Sequence, residues 1–211
     1  MSLQLLNESI QKGRAKDAKE LVEKLLADKI EPKKILDDGL LDAMNVVGTK
    51  FKNNEVFLPE ILIAARAFNM ATATLKPVLI AAGIKPVGKI ILCTVKGDIH
   101  DIGKNLVRMM FEGAGFEVFD LGVDVSPDKV VETINMTGAS IVALSALLTT
   151  TMVSLKDTIE AIKAAGIRNK VKILVGGAPV TQEYADSIGA DGYAPDAVTA
   201  AEKALTLINV T

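Results

Sequence analysis

Apolar positions change their period once along the chain, near Gly83–Gly88. Before that point they recur at helical spacing. Ala18, Leu21, Val22, Leu25 and Leu26 share one helix face. Leu36, Leu40, Met44 and Val47 form a second stripe after Pro32, a residue favoured in the first helical turn. Pro59 opens a third segment through Leu62, Ala65, Phe68, Leu75 and Leu79, and Leu3 to Gln11 supplies a shorter helix. Four helices joined by short turns predict a four-helix bundle over residues 1–86.

After the change, short apolar runs alternate with amphipathic stretches. Lys89 to Val95, Phe116 to Leu121, Ser140 to Leu147 and Lys172 to Val175 read as strands apolar on both faces, as buried parallel strands are. Helical patterns cover Ile102 to Gly113, Pro127 to Met136, Thr151 to Ala165, Gln182 to Ile188 and Val198 to Ile208. The alternation predicts an α/β domain over residues 87–211, a doubly wound parallel sheet of the Rossmann-like or flavodoxin-like kind. Ligands of such sheets bind at the carboxyl ends of strands, which directs attention to the loops after the first, third and fourth strands.

Composition narrows the setting. Of 211 residues, 49% are hydrophobic and 24% charged, the balance of a folded globular chain. Lys and Arg number 24 against 26 Asp and Glu, and no basic run is long enough to follow a phosphate backbone, which argues against nucleic acid as a partner. The single cysteine, Cys93, cannot close an internal disulfide. Residues 1–30 alternate charge with apolar positions where a signal peptide needs a continuous apolar run, so a cytoplasmic setting is predicted. Thr133 to Leu155 carries no charge and is long enough to span a bilayer, but Asn135, eight Ser or Thr residues and Gly138 interrupt it. No membrane association is predicted.

The loop after the first strand reads Gly97-Asp98-Ile99-His100-Asp101-Ile102-Gly103-Lys104-Asn105 and holds the only histidine. Asp98 can accept the Nδ1 proton of His100, which leaves Nε2 free for a metal and raises its basicity. Gly103, without a side chain, lets a bulky planar ligand approach. Equally, His100 can be a surface residue and Asp98 a helix cap. Ser145 and Leu147 end the third strand ahead of Thr149, Thr150 and Thr151, and Gly176-Gly177 end the fourth. Singly, each has an ordinary reading in a backbone hydrogen bond, a core contact or a turn; jointly, they outline a slot walled by small residues beneath one metal-capable imidazole. Cys93, Met109 and Met110 read as core. Asp191, Tyr193 and Asp196 either touch a ligand or, as the preferred reading, form a turn, and Lys104 and Asn105 either contact a ligand or form a solvated first helical turn.

Asp98-x-His100-x-x-Gly103, Ser145-x-Leu147 and Gly176-Gly177, in this order, resemble the cobalamin-binding fingerprint of methionine synthase and of the corrinoid proteins of methyltransferase systems. Val56-Phe57-Leu58-Pro59 resembles the start of the last helix of the bundle that caps the corrinoid in those proteins. The likeness covers nearly the whole chain and is greatest to free-standing corrinoid proteins of the methylamine, methanol or methoxyaromatic type. It implies cobalamin bound with its dimethylbenzimidazole tail off the cobalt. His100 then becomes the cobalt ligand, Asp98 its hydrogen-bond partner, and Thr151 the third member of the triad, a threonine where methionine synthase has serine. The same resemblance implies that Ser145, Leu147, Thr149, Gly176 and Gly177 line the nucleotide-tail channel, that Gly103 admits the corrin, and that Phe57 lies over its upper face.

The resemblance further implies a methyl carrier that does not act alone. A substrate-specific corrinoid methyltransferase loads it, a second methyltransferase passes the methyl group to tetrahydrofolate or a thiol, and a reductive activase restores the cobalt. Three alternatives stand beside this. The cobalamin subunit of an adenosylcobalamin mutase shares the loop, though a helical cap argues against it. A cobalamin-dependent regulator would need a DNA-binding element, and the chain has neither a basic recognition helix nor a tryptophan to shield a photolabile ligand. A flavodoxin-like domain without corrinoid is the last.

Overall fold

The structure, a computed structural model, describes residues 3–208. It divides into two compact units: one runs up to Pro86 and includes Gly113–Gly115, and the other comprises Val87–Glu112 and the chain from Phe116 onward.

The first unit is helical. It holds α1 (Leu3–Gln11), α2 (Ala15–Ala27), α3 (Pro32–Lys34), α4 (Asp42–Lys52) and α5 (Leu58–Ala81), with α3 and α4 joined into one rod by a π-helical stretch, Ile35–Leu41. Four rods result, as the apolar stripes predict. Ala18, Val22 and Leu25 of α2 are buried, and α5 packs chiefly on α2. Two stripe positions differ from expectation. The wider π turn shifts the phase of the third rod so that Ile35, not Leu36, is fully buried. In α5 it is Ile61 that faces the core, while Leu62 is 43% exposed. The head of α5 is fixed by Pro59 in its first turn and by Glu60, whose carboxylate accepts the Phe57 N–H at 3.1 Å.

The second unit is a five-stranded sheet, entirely parallel, in the order β2-β1-β3-β4-β5. Its strands are β1 (Lys89–Thr94), β2 (Glu117–Asp120), β3 (Ile141–Ser145), β4 (Lys172–Gly176) and β5 (Gly192–Ala194). The helices are α6 (Ile102–Gly113), α7 (Pro127–Thr137), α8 (Met152–Ala164), α9 (Gln182–Ile188) and α10 (Ala197–Ile208). β1, β3 and β4 are the apolar runs that the sequence shows, buried on both faces; β2 is half-buried throughout because it is an edge. The other edge strand corrects the turn expected at Asp191, Tyr193 and Asp196. Tyr193 lies in β5 opposite Val175, and a three-residue strand that begins with glycine has no pattern of its own to announce it. Asp191 accepts the Ile173 N–H at 2.7 Å, and Asp196 accepts the Thr199 N–H at 2.8 Å at the head of α10.

The uncharged run after Thr133 breaks where Gly138 predicts. α7 ends there with Gly138 in the left-handed conformation (φ +64°), and β3 follows. Among the described residues, no helix is long and apolar enough to cross a membrane.

The strand order places a crevice between β1 and β3, where successive connections leave for opposite faces of the sheet. The loops that border it follow β1 and β3. The turn after β4 closes against them at Gly177, whose φ is +126° and whose Cβ position is already filled by the Ala146 carbonyl. Gly177→Ala is expected to lower stability by about 3 kcal/mol. In a chain of this length that corresponds to a fall in Tm of about 6–12 °C. Differential scanning calorimetry that finds the variant as stable as the parent would contradict this packing.

Candidate functional site

The last residue of β1, Thr94, is fully buried, and its hydroxyl donates to the His100 carbonyl at 2.8 Å, folding the intervening loop back over the strand end. Gly97 (φ +84°) makes the bend. This geometry turns the Asp98 side chain inward, where it has no exposure, and leaves the His100 side chain 46% exposed above it.

The two carboxylate oxygens of Asp98 have different partners. Oδ1 lies 2.7 Å from His100 Nδ1 and accepts the His100 N–H at 3.1 Å. Oδ2 accepts the Thr151 hydroxyl and the Leu147 N–H, each at 2.7 Å, with the Leu148 N–H at 3.3 Å. Thr151 has one hydroxyl proton, and the carboxylate is its stronger acceptor. The Leu148 carbonyl, 2.9 Å from that hydroxyl, takes the Thr151 N–H at 3.0 Å instead.

Burial is the largest single influence on the Asp98 carboxyl and pushes its pKa up. The Thr151 hydroxyl, the Leu147 and His100 N–H groups and the His100 ring together outweigh it and hold the carboxyl well below the usual carboxylate range. An ionised carboxylate only accepts, so the proton on the shared hydrogen bond belongs to Nδ1. Nε2 makes no hydrogen bond among the described residues and keeps its lone pair for a ligand.

The structure therefore brings Asp98, His100 and Thr151 into one hydrogen-bonded chain that spans the β1/β3 crevice. Ser145, in register with Thr94 on one side and Gly176 on the other, lies half-buried at the strand ends, and its hydroxyl makes no hydrogen bond among the described residues. Gly103 faces open space in the first turn of α6. Thr149 is exposed on the β3–α8 loop and takes no part in the Asp98 network. Leu147 contributes its backbone N–H as well as a side chain that is 41% exposed. Exposed apolar side chains ring this edge, with Ile99 and Ile102 in or just after the first loop, Val123 after β2, and Leu147, Leu148 and Val153 after β3. That concentration of apolar surface marks a ligand-binding edge. Phe57 belongs to the helical unit, where it is 64% exposed ahead of α5.

Lys104 does not sit in solvent: it is 3% exposed and donates to Asp120 Oδ2 at 2.6 Å and to Asn105 Oδ1 at 2.9 Å. Asn105 in turn donates to Asp101 at 3.1 Å. Cys93 is buried, and burial pushes its thiol up to about 12, so it behaves as a small core residue. The Leu147 and Leu148 N–H donors escape sequence reasoning altogether, because backbone groups carry no residue signature.

The comparisons with known proteins agree with this arrangement. One family model, described as a B12 binding domain, matches residues 88–202, and another of the same description matches residues 3–76. A dimethylamine corrinoid protein of Methanosarcina acetivorans is 44% identical over 189 residues, covering 90% of this chain and 88% of that protein. The chain belongs to the B12-binding corrinoid proteins. Membership identifies cobalamin as its cofactor. Among solved structures, this corrinoid protein is similar to a cobalamin-binding protein from Desulfitobacterium hafniense (TM-score 0.80, 32% identity, 98% of both chains). It is also similar to a chain of the methanol:cobalamin methyltransferase complex of Methanosarcina barkeri (TM-score 0.88, 29% identity, 98% of this chain and 79% of that one).

The residues present fit the cofactor on chemical grounds. Among the described residues, no group of three or more His, Cys, Asp and Glu could hold a bare metal ion. A single imidazole backed by a carboxylate suits a metal whose equatorial positions are already filled by a macrocycle, and the apolar rim and open Gly103 suit the macrocycle itself.

The Asp98 network also makes a prediction for the cofactor-free protein. Its folded pKa lies below the ordinary value near 3.9, so its stabilisation is complete above that value and is lost as pH falls through it towards the folded pKa. Asp98→Asn is expected to cost about 3 kcal/mol at pH 7, measured by urea unfolding, with the gap to the parent narrowing below about pH 4. A gap that stays constant from pH 7 to pH 3 would contradict an ionised, hydrogen-bonded Asp98.

Proposed function

We propose that this corrinoid protein is the methyl-carrying component of a methylamine- or methanol-type methyltransferase system. On this reading it moves a methyl group from a substrate-specific corrinoid methyltransferase to a second methyltransferase that delivers it to tetrahydrofolate or a thiol, and a reductive activase maintains it. The observation that carries the reading is the Thr151–Asp98–His100 chain at the β1/β3 crevice, which holds a proton on Nδ1 and leaves Nε2 of a half-exposed imidazole without a hydrogen bond among the described residues. The relatives' names support the class of substrate, since they are a dimethylamine corrinoid protein and a methanol:cobalamin methyltransferase complex.

Bound cobalamin would supply the methyl-accepting and methyl-donating chemistry. The protein's residues tune and protect that chemistry. His100 would hold the cobalt through Nε2. Asp98 sets its basicity by sharing the Nδ1 proton, and Thr151 and the Leu147 N–H fix the negative charge that the shared proton feels. Because His100 is half-exposed, it can leave and return while Asp98 stays buried. Gly103 gives the corrin room, and Ser145, Leu147, Thr149, Gly176 and Gly177 receive the nucleotide tail. Phe57, an exposed aromatic at the head of α5, shields the reactive face. On this reading the methyl donor is selected by the partner enzyme.

The single histidine makes the ligand assignment direct. Protein labelled with ¹⁵N-histidine, reconstituted with cobalamin and reduced to cobalt(II), is expected to change its electron paramagnetic resonance superhyperfine pattern from the triplet of ¹⁴N to the doublet of ¹⁵N. An unchanged triplet would sink the assignment of His100. The carrier role is read separately with a labelled methylamine or methanol. Label should reach the protein only when a substrate methyltransferase is present and leave it only when an acceptor methyltransferase is added.

A further inference from the structure

We infer that Asp124 is a positioning residue for His100, clamping from outside the peptide units on either side of the Gly97–Asp98 pair. This rests on the reading of His100 as the axial ligand. Asp124 lies on the β2–α7 loop, far from the ligand loop in sequence, yet both of its polar groups are spent on it. Its carboxylate Oδ1 accepts the Gly97 N–H at 2.7 Å, and its own N–H donates to the Asp98 carbonyl at 2.9 Å. These bonds cross 27 and 26 residues, so they do not close the turn in which Asp124 sits.

Two observations set this residue apart from an ordinary loop aspartate. Asp124 adopts φ +53°, the left-handed region that side-chain-bearing residues avoid and that Asp and Asn tolerate best. Such a conformation persists where the surroundings impose it. The surroundings here are rigid. Thr94 donates its N–H to the Gly122 carbonyl at 3.0 Å and accepts the Val125 N–H at 3.1 Å, so the loop is tied on both sides of Asp124 to the end of β1. Asp120 accepts the Gly122 N–H at 2.9 Å and is held by the buried Lys104.

The consequence for the site is geometric. Asp98 meets Thr151 and Leu147 through its side chain, but the direction of that side chain depends on the backbone on either side of it. Asp124 grips that backbone at the Gly97 nitrogen and the Asp98 oxygen. Without the grip, Gly97 regains its freedom to rotate, and the Asp98–His100 pair can swing as a unit. Asp124 touches neither member's side chain and acts only through the loop.

Three substitutions separate the explanations. Asp124→Ala removes the acceptor and keeps the strain; Asp124→Gly removes the acceptor and relieves the strain; Asp124→Asn keeps an acceptor oxygen and tolerates the same φ. Each is prepared with ¹⁵N-histidine, and thermal unfolding verifies that it folds. In the cofactor-free protein, ring-nitrogen NMR of the sole imidazole is expected to report Nδ1–H with an unprotonated Nε2 for the parent and Asp124→Asn. For Asp124→Ala and Asp124→Gly it should report averaged nitrogens. After reconstitution and reduction to cobalt(II), the ratio of histidine-coordinated to uncoordinated cobalamin should fall about fivefold in Asp124→Ala and Asp124→Gly, the size of one net hydrogen bond, and be retained in Asp124→Asn.

Parent-like signals in Asp124→Ala and Asp124→Gly would overturn the proposal. So would a loss in Asp124→Ala that Asp124→Gly repairs, which would make strain the cause, or a loss in Asp124→Asn equal to that in Asp124→Ala. If the parent itself shows no histidine-dependent splitting, the ligand reading has failed independently, and the cofactor-free ring signals alone decide the role of Asp124.

Discussion

A carboxylate with no solvent exposure must find its hydrogen bonds inside the protein, and Asp98 governs this site for that reason. Its partners come from both sides of the sheet crevice: the His100 loop after β1, and the Leu147 and Leu148 amides and Thr151 hydroxyl after β3. Isolated burial would neutralise the group and abolish its use as a charge. Enough donors converge on it to reverse that tendency, so the site holds a fixed negative charge directly beneath an imidazole. The position of the histidine, its tautomer and the availability of Nε2 follow from that charge.

The sheet order makes the convergence possible. Adjacent parallel strands β1 and β3 end together, in register from Ile90 and Ile141 to Thr94 and Ser145, and their connections depart to opposite faces. A carboxylate carried on one loop can therefore be met by donors on the other without any long side chain reaching across. β4 adds Gly176, with Gly177 packed so closely on the Ala146 carbonyl that no other residue fits. The result is a firm floor at one edge of the sheet under an apolar, exposed rim.

The division of labour in the chemistry follows from what the protein does not carry. One imidazole cannot hold a bare metal, and no cluster among the described residues offers more. On the proposed reading the cofactor would bring its own ring of ligands, and the chain would supply one imidazole, a charge to tune it and surface to seat the ring. A chain of the methanol:cobalamin methyltransferase complex shares its architecture over 98% of this chain and 79% of that one, and the dimethylamine corrinoid protein is 44% identical over 90% of this chain.

Much of this was legible in the residues themselves. The helical stripes, the three buried strands and the break at Gly138 follow from periodicity, because burial on one stripe or on both faces leaves a direct mark on composition. Asp98, His100 and Gly103 were legible as a spaced motif on one short loop. The phase shift in the third helical rod was not, since a π-helical turn is set by packing. β5 exists because β4 offers it a partner, and nothing in Gly192–Ala194 alone requires a strand. Lys104, read as solvated or ligand-binding, is consumed by Asp120, and Asp124 reaches the ligand loop only through the fold. The sequence by itself determined which side chains could bind a metal and, β5 and the π-helical stretch apart, which segments would be helix or strand, because those properties belong to single residues and their neighbours. Tertiary structure alone decided which donors meet the buried carboxylate, because hydrogen bonds between loops 49 to 53 residues apart depend on strand order and register.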